Sequence, residues 1–344
     1  MTDLSENSED IKLEEDKPGI TLKAEDNKEV IKKDFIPHFF PTYTTKRKLY
    51  PIPIIIVVVI SGILAYLTYT VLGSQVEGGF FSESEMGVVG GVLNGLIYTA
   101  LAVISAFVII FIIKKKGIGV LKYIFGFSFA LVAFFQTWFF GEIILYVLFS
   151  TRPQLYYLFD VELIFLTFVF TIFMIYRYFT SRSIKTKNFI ILYVGLLIGA
   201  SMGVLMPLWT TLTILIGISC WDLFAVLYKH GPIKQLIDIA SSSEGGDIIS
   251  ENDLKEKIKS GEYEYDSTKL ELGIGDLAFY SMLTSSALVQ TSNLMVMILT
   301  ALAIIIGTGI TISGLKRNKI LPGLPISIFL GISTMLLSWF IFTI

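Results

Sequence analysis

Long stretches without charged residues are the feature that most restricts how this chain can fold. Of its 344 residues, 16% are Asp, Glu, Lys or Arg and 53% are hydrophobic, and stretches of 20 or more residues hold no charge. A helix needs roughly 20 apolar residues to cross the hydrocarbon core of a bilayer. The sequence therefore predicts an integral membrane protein and excludes an ordinary soluble enzyme.

Nine segments meet this criterion and are predicted to be transmembrane helices. They lie at residues 50–72, 87–113, 123–149, 156–178, 188–206, 208–228, 270–289, 293–315 and 320–343. The predicted fold class is all-α, a polytopic membrane protein with a block of six helices and a block of three. Its predicted domains are a disordered charged cytoplasmic tail (1–49), helices 1–6 (50–228), a flexible cytoplasmic loop (229–269) and helices 7–9 (270–344).

Basic residues indicate how the helices cross the membrane, because Lys and Arg near span ends favour the cytoplasmic side. They gather before span 1 and after spans 2, 4, 6 and 8, at Lys46, Arg47, Lys48, Lys114, Lys115, Lys116, Arg177, Arg182, Lys185, Lys187, Lys229, Lys234, Lys316, Arg317 and Lys319. The connections on the opposite side of the membrane contain a single basic residue, Arg152. The N-terminus and the loop over 229–269 are predicted to be cytoplasmic, and the C-terminus extracytoplasmic.

Charge and composition also exclude several kinds of partner. The net charge of −2 and the lack of a basic stripe argue against nucleic acid. Cys220 is the single cysteine, and His38 and His230 are far apart in the sequence. No disulfide, metal site or cofactor is predicted.

Glycines recur every four residues in two of the spans. They are Gly87, Gly91 and Gly95 in span 2, and Gly195, Gly199 and Gly203 in span 5. Small residues at this spacing let neighbouring helices approach closely, so a packing role is predicted.

Carboxyl groups within the apolar spans are the candidate functional groups, because an ionisable side chain is costly in a bilayer. The spans contain Glu142, Asp160, Glu162, Asp222, Glu271 and Asp276. Asp222 lies six residues before the cytoplasmic end of span 6 at Tyr228. Asp276 lies six residues after the cytoplasmic start of span 7 at Leu270. Both therefore lie roughly 9 Å below the same surface, and their carboxyl groups are predicted to meet.

Such a pair has the chemistry of an aspartyl protease dyad. Neither span 6 nor span 7 contains Lys, Arg or His, so two close carboxyl groups share a proton, and one activates water while the other donates to a carbonyl oxygen. The alternatives are a protonated Asp that bonds a neighbouring carbonyl, or a non-proteolytic transporter, cation-leak protein or pseudoprotease. For Glu142, Asp160 and Glu162, at the outer span ends, an interfacial role is favoured over a cation cluster.

Three short motifs occur in order on the last four predicted spans. They are Trp221-Asp222, Gly273-Ile274-Gly275-Asp276 with Tyr280 four residues on, and Pro322-Gly323-Leu324. Together with nine spans, they resemble the Tyr-Asp, Gly-x-Gly-Asp and Pro-Ala-Leu motifs of the presenilin and signal peptide peptidase family of intramembrane aspartyl proteases. Trp221 stands where the family has tyrosine, and Gly323 where it has alanine.

The resemblance implies that Asp222 and Asp276 are catalytic. Residues that shape the site or bind substrate are expected at Trp221, Gly273, Gly275, Tyr280, Pro322, Gly323 and Leu324. The glycines expose backbone to a substrate strand, and Tyr280 shares a helical face with Asp276. A cytoplasmic loop between spans 6 and 7 is similar to the presenilin arrangement, which implies substrates whose N-termini lie outside.

The predicted function is hydrolysis of peptide bonds within the transmembrane segments of membrane proteins. The predicted partners are those substrates and the lipid bilayer. Accessory subunits and a homo-oligomer are both open, because the sequence names no interface. A prepilin-peptidase-like protease also uses a Gly-x-Gly-Asp aspartate, but nine spans and the Pro322-Gly323-Leu324 motif disfavour it.

Overall fold

The computed structural model of the chain describes residues 21–25, 28–32, 41–73, 79–117, 119–181, 183–228, 269–315 and 323–343. The chain divides into two compact units. In the smaller unit, strand β1 (Thr21–Glu25) pairs antiparallel with strand β2 (Lys28–Lys32). The larger unit contains every helix among the described residues.

Nine α-helices in the described part of the larger unit correspond to the nine predicted spans, which confirms the all-α fold class. They are α1 (Pro51–Leu72), α2 (Glu83–Lys116), α3 (Val120–Phe149), α4 (Pro153–Thr180), α5 (Ile184–Leu205), α6 (Leu208–Leu227), α7 (Ile274–Thr291), α8 (Leu294–Leu315) and α9 (Leu324–Thr343). Eight of them are long and apolar enough to cross a bilayer by themselves. The exception is α7.

Helix α7 can contain many polar residues because other helices surround it. It packs against α1, α5, α6, α8 and α9, and nearly every residue from Leu277 to Val289 is buried. Its hydroxyl groups bond to those neighbours: Ser281 donates to the carbonyl of Leu196 on α5, and Ser285 donates to the carbonyl of Ser61 on α1. Protein rather than lipid satisfies these groups, so this helix tolerates serine, threonine and aspartate at membrane depth.

The close approach of α5 to α7 depends on glycines. A Cβ atom at Gly199 would collide with the carbonyl oxygen of Ala278, and one at Gly203 would collide with that of Met282. This agrees with the packing role predicted for the glycines of span 5. In α2, Gly91 and Gly95 pack in the same way against Trp209 and Thr213 at the start of α6.

Gly87 differs from the packing role predicted for it. Its φ is 59°, a left-handed conformation that kinks α2, and a Cβ atom there would meet nothing within 4 Å in the described part of the chain. Glycine is used at this position for its backbone conformation, not for helix contact.

Two short strands correct the predicted boundaries. Strand β3 (Thr42–Lys46) pairs antiparallel with strand β4 (Lys269–Gly273), with Thr42 opposite Gly273 and Lys46 opposite Lys269. The start of span 7 at residue 270 was therefore wrong, because Leu270–Gly273 is extended and the helix begins at Ile274. Gly273 and Gly275 weaken helix here, and the Thr-Tyr-Thr-Thr sequence of β3 favours a strand.

The predicted disorder of the tail over 1–49 was likewise wrong in places. The hairpin of β1 and β2, strand β3 and a 3₁₀ turn at Arg47–Leu49 are all regular structure within it. Residues 1–20, 26–27 and 33–40 of that tail, and residues 229–268 of the predicted flexible loop, lie outside the described residues.

Replacing Gly199 with alanine should destabilise the protein, because the added methyl group forces α5 away from the backbone of α7. Overpacking of this kind raises the free energy of the folded state by about 1–3 kcal/mol. Thermal unfolding of the purified protein in detergent measures the effect. Gly119→Ala is the matched control, since a Cβ atom there meets nothing within 4 Å. Equal melting temperatures for both variants would contradict this account of the α5–α7 contact.

Candidate active site

Asp222 bonds to the backbone at the beginning of α9. It is half-buried on α6, and its Oδ2 accepts a hydrogen bond from the amide of Leu324 at 3.2 Å. The amide of Gly323 donates to the same side chain. First-turn amides of a helix have no intrahelical acceptor and carry the positive end of the helix dipole. A carboxyl oxygen is therefore a well-matched partner for them.

Asp276 lies on the other side of the same glycine. It is in the first turn of α7, where the amide of Gly273 donates to it. A Cβ atom at Gly323 would lie 3.3 Å from Oδ2 of Asp276, so the backbone at Gly323 is in contact range of this carboxyl group. The carboxyl groups of Asp222 and Asp276 are close enough to influence each other electrostatically. The two acids predicted to meet are thus brought together at Gly323.

The other predicted site residues are placed at different distances from this pair. Leu324 and Gly273 contact the aspartates through their amides. Among the described residues, a Cβ atom at Gly275 would meet only Phe279, at 3.8 Å. Pro322 lies outside the described residues.

Trp221 and Tyr280 face neighbouring helices. The ring of Trp221 packs edge-on against Phe107 of α2, with 5.6 Å between ring centroids. Tyr280 is 1% exposed, and its hydroxyl donates to Ser327 Oγ of α9 at 3.3 Å. Ser327 is in turn 3.1 Å from the hydroxyl of Thr308 on α8. Tyr280 therefore connects α7 to α9 and, through Ser327, to α8.

No feature of the sequence indicates that the N-terminal segment reaches this site. The carbonyl of Pro41 accepts a hydrogen bond from the amide of Ile274 at 3.2 Å, two residues from Asp276. On α5, Asn188 Oδ1 accepts from the amide of Thr44 at 3.0 Å, and Asn188 Nδ2 donates to the Thr44 carbonyl at 2.6 Å. These two bonds fix β3 beside β4. Asn188 and Thr44 are 144 residues apart, so no local pattern connects them.

The outer acids form a separate group. Glu142 accepts hydrogen bonds from Trp138 Nε1 at 3.1 Å and from the Tyr156 hydroxyl at 3.0 Å, and it also bonds to Asp160. Within the described ranges, no three His, Cys, Asp or Glu side chains are grouped so as to hold a metal ion.

Replacing Asn188 with alanine should release β3, because both hydrogen bonds to Thr44 are lost. The amide of Tyr43 should then exchange with deuterium about tenfold faster, as expected for loss of one or two net hydrogen bonds. Hydrogen exchange with mass spectrometry measures this. Thr186→Ala, two residues earlier on α5, is the control. Unchanged exchange in the Asn188 variant would show that β3 is held by other contacts.

The helical bundle and its paired carboxyl groups define a class of protein: a multi-pass membrane protein with two aspartates on adjacent helices. The family profile named Presenilin matches residues 48–249 and 247–344, which together include all nine helices. The chain belongs to the presenilin family and is an integral membrane protein.

Two curated relatives and one solved structure show the extent of the similarity. Presenilin-B of Dictyostelium discoideum is 35% identical over 173 residues, and the match covers 49% of this chain but only 33% of that protein. A presenilin-like protein of Arabidopsis thaliana is 25% identical over 332 residues, with 75% of this chain and 81% of that protein covered. A presenilin family intramembrane aspartate protease of known structure shares the fold, with a TM-score of 0.53, 13% identity, and coverage of 84% of this chain and 97% of that chain.

Proposed function

We propose that this protein is an intramembrane aspartic endopeptidase that cuts the transmembrane segments of other membrane proteins. The observation that carries the proposal is the convergence of Asp222 and Asp276 on Gly323 at the start of α9. Membership of the presenilin family, and the fold shared with an intramembrane aspartate protease, support the same activity.

In the proposed reaction the two carboxyl groups divide the proton transfers. Neither α6 nor α7 contains Lys, Arg or His to balance a second negative charge, so the pair holds one proton between its members. The ionised carboxyl group takes a proton from water, and the water oxygen attacks the scissile carbonyl carbon. The protonated carboxyl group donates to the carbonyl oxygen, which gives a tetrahedral diol. As the C–N bond breaks, the carboxyl group that took the proton from water passes it to the leaving nitrogen, and the other carboxyl group takes a proton from the diol, which becomes the carboxylic acid product.

A substrate helix must unwind before this attack, because its amides and carbonyls are sealed by internal hydrogen bonds. Strand β4 offers a place for the unwound segment, since an extended peptide can add to an open sheet edge. Among the described residues β4 pairs on one side only, with β3.

The register of the sheet indicates which groups lie on the open edge of β4. Antiparallel residues alternate between hydrogen-bonded and non-bonded pairs. The amide and carbonyl of Thr44 bond outward to Asn188, so Thr44 and Glu271 form a non-bonded pair. The amides of Glu271 and, two residues on, Gly273 therefore point away from β3. The amide of Gly273 donates to Asp276, so this edge of β4 lies beside the aspartates. Its position supports docking of a substrate strand there.

The proposed orientation has the N-terminus and the 229–269 loop in the cytoplasm and the C-terminus outside. The positions of the basic residues support it. In this orientation the aspartates lie nearer the cytoplasmic surface. The substrates proposed are single-span proteins with the N-terminus outside.

Asp222→Asn and Asp276→Asn should each remove nearly all cleavage, because an amide can neither accept the proton from water nor supply the shared proton. Reconstituted protein is incubated with a single-span substrate, and the products are mapped by mass. Glu142→Gln is the matched carboxyl-to-amide control and should cleave normally, since Glu142 bonds only within the outer group.

Retained cleavage in either aspartate variant would exclude the dyad. If the unmodified protein shows no cleavage but conducts ions across liposomes, the transporter or cation-leak alternative takes the place of this proposal.

Glu271→Pro should reduce cleavage about tenfold, because it removes one amide from the open edge of β4 while leaving the bonded pairs with β3 intact. The same cleavage assay measures the rate, and hydrogen exchange at Tyr43 verifies that β3 stays paired. Glu271→Ala keeps the amide and should cleave at the normal rate. Equal rates for the proline and alanine variants, with β3 still protected, would exclude strand addition at this edge.

A further inference from the structure

A large cavity lies away from the aspartates, and the proposed reaction does not use it. Its volume is about 1040 Å³, and it is enclosed by α1, α3, α4 and α5. Most of its lining is apolar, with Leu64, Phe140, Leu163 and Phe170 among the contributors. Neither Asp222 nor Asp276 lines it.

The volume of the cavity is that of a large ligand site. It lies at the upper end of the range of about 300–1,000 Å³ typical of small-molecule sites.

The cavity is continuous with the surface that faces lipid. Ile60 of α1 and Leu166 and Phe173 of α4 line it, and each of these side chains is also exposed on the outside of the bundle. An apolar chain can therefore enter from the bilayer between α1 and α4.

The cavity is long in the direction of the helix axes. On α5 the lining runs from Lys185 to Leu197, a rise of roughly 18 Å at 1.5 Å per residue. On α3 it reaches Ile144, five residues before the end of that helix at Phe149. The cavity thus extends from the membrane surface at the N-terminus of α5 past the midplane.

The polar groups of the lining include a cluster at the surface end. Tyr43 of β3 and Lys185 and Asn188 of α5 lie there, and Lys185 is the second residue of its helix. Lys185 is exposed, and its positive charge is reinforced by the N-terminal end of the α5 dipole. An apolar cavity that opens to the bilayer and has a cation at its entrance matches a lipid with an anionic headgroup.

We propose that this cavity binds the acyl chains of one anionic phospholipid from the leaflet at the N-terminus of α5. The chains fill the space between α1, α3, α4 and α5, and the headgroup phosphate pairs with Lys185. Tyr43 and Asn188 border the same entrance and hold β3. A bound lipid therefore also protects β3 from hydrogen exchange.

The test titrates the full purified chain in detergent with phosphatidylglycerol and, separately, with phosphatidylcholine of the same acyl chains. Native mass spectrometry counts bound lipids, and hydrogen exchange follows the amide of Tyr43. The expected result is saturable binding of one phosphatidylglycerol, about tenfold tighter than phosphatidylcholine, with slower exchange at Tyr43.

Two variants locate the lipid. Lys185→Ala should reduce phosphatidylglycerol affinity to that of phosphatidylcholine, whereas Lys115→Ala, a basic residue that does not line the cavity, should change neither affinity. Val169→Trp projects a large ring into the cavity and should prevent binding of both lipids.

Three results would overturn the proposal. They are the absence of saturable binding, equal affinity for the two lipids, and binding that neither Lys185→Ala nor Val169→Trp changes. A single-span peptide that binds in place of the lipid, and that Val169→Trp blocks, would also overturn it by assigning the cavity to substrate.

Discussion

The burial of α7 among five other helices is the constraint on which the rest of the structure depends. A helix surrounded by protein can carry hydroxyl groups and an aspartate, because its neighbours and not lipid satisfy them. The glycines of α5 make this possible by letting two backbones approach where any side chain would collide. The helices around α7 are apolar and separate its polar side chains from the bilayer.

The site joins two segments that are distant in sequence through one glycine. The amides at the start of α9 bond Asp222, while the missing side chain of Gly323 leaves room for Asp276. A helix N-terminus supplies hydrogen-bond donors without a counter-ion, so the two acids stay close without a basic residue from α6 or α7. This explains how an apolar bundle accommodates a pair of groups that repel each other when both are ionised.

Much of this arrangement follows from sequence, for identifiable reasons. Span length and charge-free composition predict the nine helices, since the bilayer imposes both. The equal spacing of Asp222 and Asp276 from the predicted span ends predicts their meeting, although the helical rise assumed for Asp276 does not apply to the strand at Lys269–Gly273. Strands β3 and β4 were not predicted, because β3 is held by β4 and by Asn188. These are contacts between residues distant in sequence, and they produce no periodic pattern of apolar residues. Gly87 was misread because spacing alone cannot distinguish a packing glycine from a kink.

The hydrogen-bonded chain from Tyr280 through Ser327 to Thr308 has a consequence for how the aspartates are assembled. Ser327 is three residues after Leu324, so both face the same side of α9 about one turn apart. The chain therefore fixes the angular position of α9 about its own axis. A rotation by one residue, about 100°, would turn the Leu324 amide away from Asp222 and Gly323 away from Asp276 together. The arrangement of the two aspartates thus depends on helix rotation as much as on helix position, and Thr308 of α8 contributes to it through Ser327.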